Sequence, residues 1–507
     1  MIACLAGCIL PLSLAPFDLI GAAFVSLTLL FLTTVTCSAK RTALRYYLYG
    51  LGMYGVGASW IFVSIHEYGG ASVYLAALLV SLFVAGVSLP SLLQGYVFGL
   101  LTSTVSPGVR TVFVFAACWA GHEWLLTWFL TGFPWLFVGY SQLQTPLLGY
   151  ALLSGVLGVG FVVALISALL GFFIFFPQRK RGLISGLMIA ALVLIGSWLA
   201  STEFTQPERS ISVSLVQGNI DQAVKWRREM VQPIINTYLE LSEPEWGRDL
   251  IIWPEAAITV FRDRAGKLLE HLDTKGEDAG STLILGIPDR DSQGNFMNAA
   301  IGVGVAESEY FKRRLVPFGE YVPMEDVLRG LIGFFNLPMS HNKVGEAIQP
   351  PMQLDSAWLG MSICYEIVYP DLVRSHETVP GILATISNDS WFGRSIGPLQ
   401  HFQMARMRAV ENGRYLLRST NNGVTAVIDH RGKVQSSLPQ FEPGVLRGDA
   451  EIRTGQTPFG KLGHWPLVFL LMLIFVISFF QYYRDSSSGR PFVRSSVLSS
   501  EESDAST

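Results

Sequence analysis

Apolar positions along this chain come in two textures: long unbroken runs, and one long stretch where they appear only in short bursts. Runs near residues 18–37, 47–65, 72–101, 111–130, 148–176, 183–200 and 465–483 have about the 20-residue length that a helix needs to cross a hydrocarbon core of ~30 Å. Residues 2–14 are apolar too, but at ~1.5 Å per residue they extend only ~20 Å. No basic region precedes them, as it would in a secretory signal. Leu5-Ala6-Gly7-Cys8 has the form of a lipid-attachment cleavage box, but only four residues lie ahead of it. The segment therefore reads as a short helix or as the remnant of a span whose start lies upstream. Ala15-Pro16-Phe17-Asp18, a good turn between antiparallel helices, favours the second.

Between residues 201 and 462 no run of membrane length exists. Strand-like bursts fall at 211–217, 250–253, 282–286, 299–304, 359–364, 382–387 and 424–429, and helical patterns at 226–241 and 398–412. Several bursts end in polar clusters: Gln217-Gly218-Asn219, Trp253-Pro254-Glu255, Cys364-Tyr365-Glu366 and Ser387-Asn388-Asp389. Layered α/β folds put chemistry at such strand ends, so these clusters point to one shared site. The expected organisation is a membrane bundle of about eight helices, seven of them over 1–200, a soluble α/β domain over 201–462, a last span over 463–484 and a polar tail over 485–507.

Composition agrees with a membrane protein. Half of the 507 residues are hydrophobic and 15% are charged, against ~25% charged in an average soluble protein; mean hydropathy is +0.40. The net charge of −3 and the lack of a Lys/Arg block with interleaved aromatics argue against a nucleic-acid partner. Loop charges give an orientation. Lys40, Arg41 and Arg45, then Arg110, then Arg179, Lys180 and Arg181, and finally Arg484, Arg490 and Arg494 fall in alternate connections, while the loops at 15–17, 66–70 and 131–146 carry no Lys or Arg. The positive-inside rule then puts both termini in the cytoplasm and the large domain outside. The Ser-rich tail over 484–507 has the composition of a disordered segment.

Outside the apolar segments there is a single cysteine, Cys364, where the apolar run Leu359-Gly360-Met361-Ser362-Ile363 stops at a thiol; Cys4, Cys8, Cys37 and Cys118 all lie in or beside membrane-grade stretches. A lone thiol there is a small core hydrophobe or a nucleophile, and an oxidising compartment suits a domain with no second thiol to mispair.

Three motifs in order decide between those readings. Trp253-Pro254-Glu255, then Lys312 in Lys312-Arg313-Arg314-Leu315-Val316-Pro317-Phe318-Gly319-Glu320-Tyr321-Val322-Pro323, then Cys364-Tyr365-Glu366 resemble the Glu–Lys–Cys triad of the nitrilase (carbon–nitrogen hydrolase) superfamily. With its membrane spans the whole chain resembles the membrane-bound branch of that superfamily, the bacterial apolipoprotein N-acyltransferases. Further stretches carry the same resemblance: Val216-Gln217-Gly218-Asn219-Ile220, Asn388-Asp389-Ser390-Trp391-Phe392-Gly393, the 400–409 segment from Gln400 to Ala409, Arg418-Ser419-Thr420-Asn421-Asn422-Gly423 and Leu130-Thr131-Gly132-Phe133-Pro134-Trp135. Two departures are a first span that looks truncated and Leu126, three residues after Glu123, where the family pattern has Arg.

The resemblance implies a nitrilase-like αββα sandwich carried on the external face of a bacterial inner-membrane bundle. It implies lipoprotein maturation in two steps: Cys364 takes an acyl chain from a phospholipid, typically phosphatidylethanolamine, as a thioester, and the amine of a diacylglyceryl-cysteine at an apolipoprotein N-terminus then accepts it. A membrane-tethered amidohydrolase would use the same triad but release its product to water. The residue chemistry fits independently. Glu255 is the candidate base, with a carboxyl that desolvation would raise toward the operating pH; Lys312 supplies positive charge to a developing oxyanion. Glu320 and Glu366 are supporting carboxylates, the backbone N–H after Cys364 completes an oxyanion site, and Tyr365 and Trp226 are candidate substrate contacts. Singly, each has a duller reading: a core thiol, a helix-capping carboxylate at Glu255, a solvated strand lysine at Lys312, loop charge at Glu320, a packing anchor at Trp226. Asn388, Asp389 and His401 read as loop pins, packing or caps, and His122-Glu123 as an ionisable pair at the membrane surface or paired within the bundle. Residues 134–137 and 333–338 are candidate linings for acyl chains. No metal-ligand spacing and no phosphate loop occurs, so neither metal nor cofactor is expected, and a membrane-mounted domain is expected to be monomeric.

Overall fold

The computed structural model describes residues 1–102, 107–175, 177–321 and 342–487; the 333–338 segment and the residues after 487 fall outside that range. The chain divides into two compact units, one of Met1–Ser59, Leu79–Thr202 and the chain from His464, the other of Trp60–Leu78 and Glu203–Gly463.

The first unit is helical. Over the described residues of the whole chain, helices Val73–Thr102, Pro146–Phe175, Arg179–Ser201 and Trp465–Arg484 are long and apolar enough to cross a membrane, with a fifth if Ala39–Gly57 and Trp60–Tyr68 are counted as one bent span. Among the described residues that is fewer than the apolar runs in the sequence, because a run does not show where its helix stops. Gly21–Thr34 has 14 residues, and Val109–Leu125 ends before a turn in which Leu130 takes φ 49°. Residues 2–13 are helical, as Ile2–Ile9 and the 3₁₀ turn Leu10–Ser13. A Cβ on Gly7 would lie 2.1 Å from the Tyr49 carbonyl oxygen and one on Gly52 2.2 Å from that of Cys4, so only glycine lets these two backbones approach. Phe31 and Phe115 meet edge to face in the interior, with ring centroids 5.3 Å apart. Leu194, Trp198, Phe469 and Phe480 stand exposed on the outside, as expected of surfaces that face lipid. Glu123 is paired inside this unit: its Oε1 accepts from Trp119 Nε1 (3.0 Å) and from the Val138 N–H (2.8 Å).

The second unit holds twelve strands among the described residues. They are β1 (Thr205–Gln217), β2 (Leu250–Ile252), β3 (Thr282–Arg290), β4 (Phe296–Gly304), β5 (Ser308–Phe311), β6 (Met352–Leu354), β7 (Ala357–Ile363), β8 (Ile382–Ser387), β9 (Leu416–Thr420), β10 (Ala426–Ile428), β11 (Val434–Ser437) and β12 (Gly444–Gly455). They form two six-stranded sheets, ordered β12-β1-β2-β3-β4-β5 and β11-β10-β9-β8-β7-β6. Each has a parallel centre, β1-β2-β3 in one and β7-β8-β9 in the other.

Strand alternation explains the layers. Leu250 and Ile252 point into a core shared with Met361, Ile363, Ile386 and Leu417 of the second sheet. Ile251 and Trp253, one residue out of phase, pack outward against Ile234, Tyr238 and Leu272 of helices Val231–Ser242 and Gly266–Ala279. Gly397–Asn412 packs against β9 on the second sheet. The layers are those of an αββα sandwich.

Two local readings differ from the sequence. The helix expected from Trp226 begins at Val231, because Asp221 nucleates a turn first, accepting the Ala223 N–H at Oδ1 (2.8 Å) and the Lys225 N–H at its carbonyl (3.0 Å). Gly266–Ala279 was hidden by its many charges; it ends at Gly280, in the left-handed region at φ 70°.

Candidate active site

The parallel centres of both sheets deliver their polar C-terminal ends to one place, and main-chain bonds lock them. The Asn421 N–H reaches the Ser387 carbonyl (3.0 Å) and the Asn219 N–H reaches the Asn421 carbonyl (2.7 Å), while Asn421 Nδ2 donates to the Ile220 carbonyl (2.8 Å). The loops after β1, β8 and β9 are thereby one assembly.

Glu255 follows β2 and is 7% exposed. A Cβ on Gly286 of β3 would lie 2.6 Å from the Pro254 carbonyl oxygen, so glycine there makes room for the loop that carries Glu255. Glu255 Oε1 accepts from Asn298 Nδ2 (2.7 Å) and from Lys312 Nζ (3.2 Å), and Oε2 accepts from the Asn388 N–H (2.9 Å). Lys312 follows β5 and is 1% exposed. Its N–H bonds the Asn298 carbonyl (2.9 Å), so Asn298 holds the backbone of Lys312 and the carboxylate of Glu255 together. Lys312 Nζ also donates to Glu320 Oε1 (2.7 Å), and Glu320 Oε2 is fixed by the Val316 N–H (2.8 Å).

Cys364 begins a 3₁₀ turn directly after β7, in the left-handed region at φ 53°, an uncommon conformation for a residue with a Cβ and one that turns its side chain out of the strand's alternation. Two buried groups hold this elbow. Glu366 accepts the Ile363 N–H (2.7 Å) and the Tyr310 hydroxyl (2.9 Å) at Oε2, and the Arg313 (2.5 Å) and Arg314 (3.1 Å) N–H groups at Oε1. It therefore ties the Cys364 turn to the strand extension that carries Lys312. His401 Nε2 lies 3.1 Å from the Cys364 carbonyl oxygen, an acceptor, so that nitrogen carries a proton. Its Nδ1 lies 3.1 Å from Asp389, which is ion-paired with Arg418 at 2.7 Å. His401 and Asp389, read from sequence as a cap and a loop pin, thus buttress the cysteine backbone.

Electrostatics fixes the resting protonation. Burial pushes the Glu255 carboxyl up, but the Lys312 charge and the hydrogen bonds from Lys312 and Asn298, with Lys225 adding to them, outweigh burial and hold it below the ordinary range. The sequence expectation of a raised Glu255 is corrected here: desolvation is present, but two ammonium groups come with it. Burial would lower Lys312, yet Glu255 and Glu320 hold it well above its usual value. Burial and the negative charge of Glu255 raise the Cys364 thiol, against the pull of Lys312. The site rests as carboxylate, ammonium and neutral thiol.

Of the remaining expected residues, Tyr365 is buried against Tyr369, with ring centroids 5.3 Å apart and hydroxyls 3.2 Å apart. Trp226 is 37% exposed in its turn, outside the bonded network. Two residues that the sequence reading missed are central. Asn298 left a faint signal, a polar residue inside an apolar strand. Lys225 left none, since nothing local reveals that a lysine beside Trp226 is buried. Its Nζ is fully enclosed, 3.3 Å from the Glu255 carbonyl oxygen, and burial lowers it to about 8 against the opposing charge of Glu255. Among the described residues no group of three or more His, Cys, Asp or Glu could hold a metal ion.

Two facing six-stranded sheets with helices outside are the layers of a carbon–nitrogen hydrolase domain, and residues 212–457 match the model of the carbon-nitrogen hydrolase family. Residues 6–169 match the apolipoprotein N-acyltransferase N-terminal domain. The chain is 41% identical over 478 residues to the apolipoprotein N-acyltransferase of Pseudomonas aeruginosa, covering 92% of this chain and 93% of that protein. It is 39% identical over 497 residues to the apolipoprotein N-acyltransferase of Methylococcus capsulatus, covering 96% and 97%. The solved carbon-nitrogen hydrolase from Helicobacter pylori G27 aligns over 47% of this chain and 88% of its own, at 13% identity and a TM-score of 0.37. The chain belongs to the apolipoprotein N-acyltransferase family.

Proposed function

We propose that this chain transfers an acyl chain from a membrane phospholipid to the N-terminal amine of a diacylglyceryl-cysteine on an apolipoprotein, through a thioester on Cys364. The observation behind this reading is the buried Lys312 ammonium held between Glu255 and Glu320, on a segment that Glu366 ties to the Cys364 elbow. In the first half-reaction the Cys364 sulfur attacks the ester carbonyl carbon as its proton passes to Glu255. The oxyanion is met by Lys312 and by the N–H of Tyr365. The C–O bond then breaks, and the lysophospholipid oxygen takes the proton back from Glu255. In the second, the acceptor amine attacks the thioester and gives a proton to Glu255; the C–S bond breaks, and the leaving thiolate regains that proton. An amide is formed and the enzyme is restored.

The protonation states support this order. A raised thiol does not ionise in advance, so its proton moves as the C–S bond forms, and a Glu255 held as carboxylate is always ready to take it. Glu320 holds Lys312, Glu366 holds the turn after Cys364, and Tyr365 and Trp226 are the proposed substrate contacts nearby.

Both substrates are lipid-anchored, which gives a reason to mount such a domain on a membrane bundle. The proposed arrangement is eight spans, with seven over 1–200 and the last over 463–484, the catalytic domain over 201–462 on the periplasmic side of the inner membrane, and both termini, including the 485–507 tail, in the cytoplasm. The distribution of Lys and Arg over alternate loops supports it. Phosphatidylethanolamine is the proposed donor, and a monomer the proposed state. Purified full-length protein incubated with phosphatidylethanolamine and a diacylglyceryl lipopeptide should yield N-acylated peptide and lysophospholipid in equal amounts. Free fatty acid with an unmodified peptide would mark a hydrolase instead.

A further inference from the structure

In the catalytic unit a cavity of about 300 Å³ is lined by Arg374, His376, Asn412, Arg414 and Gln456 among others, and among the described residues no Asp or Glu lines it. None of these five belongs to the Glu255–Lys312–Cys364 network. Arg414 is 3% exposed. Its three hydrogen bonds all go to carbonyl oxygens, from Nε to Pro380 (2.7 Å), from Nη1 to Gly413 (3.2 Å) and from Nη2 to Gly455 (2.5 Å). Among the described residues no carboxylate pairs with it, and the charge that acts on it is a second guanidinium, Arg453, itself occupied by Glu203 and Glu451. Burial and that like charge lower Arg414 to about 10, so it stays cationic at neutral pH.

A buried guanidinium is ordinarily paired, because carbonyl dipoles only partly replace its hydration. Arg414 has two N–H groups beyond the three in use. Arg374 brings a second guanidinium to the same cavity: its Nε is held by Asp371 (2.8 Å), and its terminal Nη2 is packed so close to Gly463 that a Cβ there would lie 2.6 Å away. His376 donates from Nε2 to the Val373 carbonyl (3.1 Å), which leaves Nδ1 as an acceptor, and that atom is buried without a partner. Two forked cations and one unused acceptor ask for an anion that also carries a hydroxyl. A carboxylate offers no such donor; a hydrogen phosphate or a glycerol phosphate does.

We propose that this cavity binds a phosphate group, with Arg374 and Arg414 on its anionic oxygens and His376 Nδ1 accepting the hydroxyl hydrogen of the same ligand. Planar guanidinium forks match phosphate oxygens in pairs, and the volume suits a small ligand larger than an inorganic ion. The phosphate comes from solution or from a lipid headgroup. Gly460 lines the cavity, and the apolar helix from Trp465 begins five residues later in the chain.

The test uses the full chain in phospholipid-free maltoside micelles, titrated with inorganic phosphate by calorimetry at constant ionic strength. Saturable binding is expected, weakened about tenfold or more in Arg374→Gln. His376→Phe, which removes only the acceptor, should also weaken it, and serves alone if Arg374→Gln melts early. Arg414 is left intact because its carbonyl bonds hold the fold. In nanodiscs, competition of phosphatidylglycerol against phosphate assigns the site to a headgroup, and unchanged phosphate affinity assigns it to free phosphate. No saturable phosphate binding in micelles, or binding equal to wild type in both variants, overturns the proposal.

Discussion

Lys312 Nζ stands 2.7 Å from Glu320 and only 1% of its side chain is exposed, so the lysine is anchored by a carboxylate other than the one proposed as base. A lysine held between two carboxylates in this way is pre-organised, and its charge need not reorganise when an oxyanion forms. Lys312→Met keeps the length and loses the charge; it should lower the acylation rate about 10²–10³-fold. Lys312→Arg should not rescue it, because a planar fork does not fit a pocket shaped for a compact ammonium. Glu320→Gln should impair turnover less, since Glu255 still holds the ammonium. Single-turnover rates on variants with wild-type melting temperatures check this; near-normal turnover in folded Lys312→Met would remove Lys312 from the mechanism.

The lowered Glu255 carboxyl sets a pH dependence. Its folded-state value lies below the unfolded one, so its contribution to stability is full above the ordinary glutamate range and is lost as pH falls through the folded value. By the same sign, the acid limb of the thioester-formation profile should lie below the ordinary range. Lys225→Met removes one of the two ammonium groups that hold Glu255 down. Its acid limb should move to higher pH, while a purely structural lysine would leave the limb in place. The measurement is the pH profile of thioester formation in both proteins, with folding followed at each pH.

Glu366→Ala should damage folding more than chemistry. It strands three main-chain N–H groups and the Tyr310 hydroxyl, all on the link between the Cys364 turn and the Lys312 segment. Orphaned buried donors cost about 1–3 kcal/mol each, so a loss of at least about 3 kcal/mol is expected in denaturant unfolding. A loss under about 1 kcal/mol would contradict the arrangement.

Orientation is testable at Asp278, an exposed residue on helix Gly266–Ala279. A membrane-impermeant thiol reagent should label Asp278→Cys in intact spheroplasts. Labelling only after lysis would reverse the proposed topology.

Much of this was legible in the sequence because strands buried on both faces leave apolar bursts that stop at polar residues, as Leu359 to Ile363 stops at Cys364. Glu255, Lys312 and Glu320 could be named in advance, and the structure brings them within hydrogen-bonding distance. Lys225 and Asn298 could not, because their significance is in their burial and in contacts 30 and 43 residues away along the chain. The direction of the Glu255 shift was lost for the same reason: burial is readable from a pattern, but the number of cations buried with it is not. The ends of the membrane helices were also obscured, since apolar residues continue through the turns.

The central claim is that Cys364 carries the acyl chain. Purified protein incubated with phosphatidylethanolamine and no acceptor should gain the mass of one acyl group, localised to the peptide containing Cys364, cleaved by neutral hydroxylamine and absent in Cys364→Ala. No adduct, or an adduct that persists in Cys364→Ala, would contradict the account.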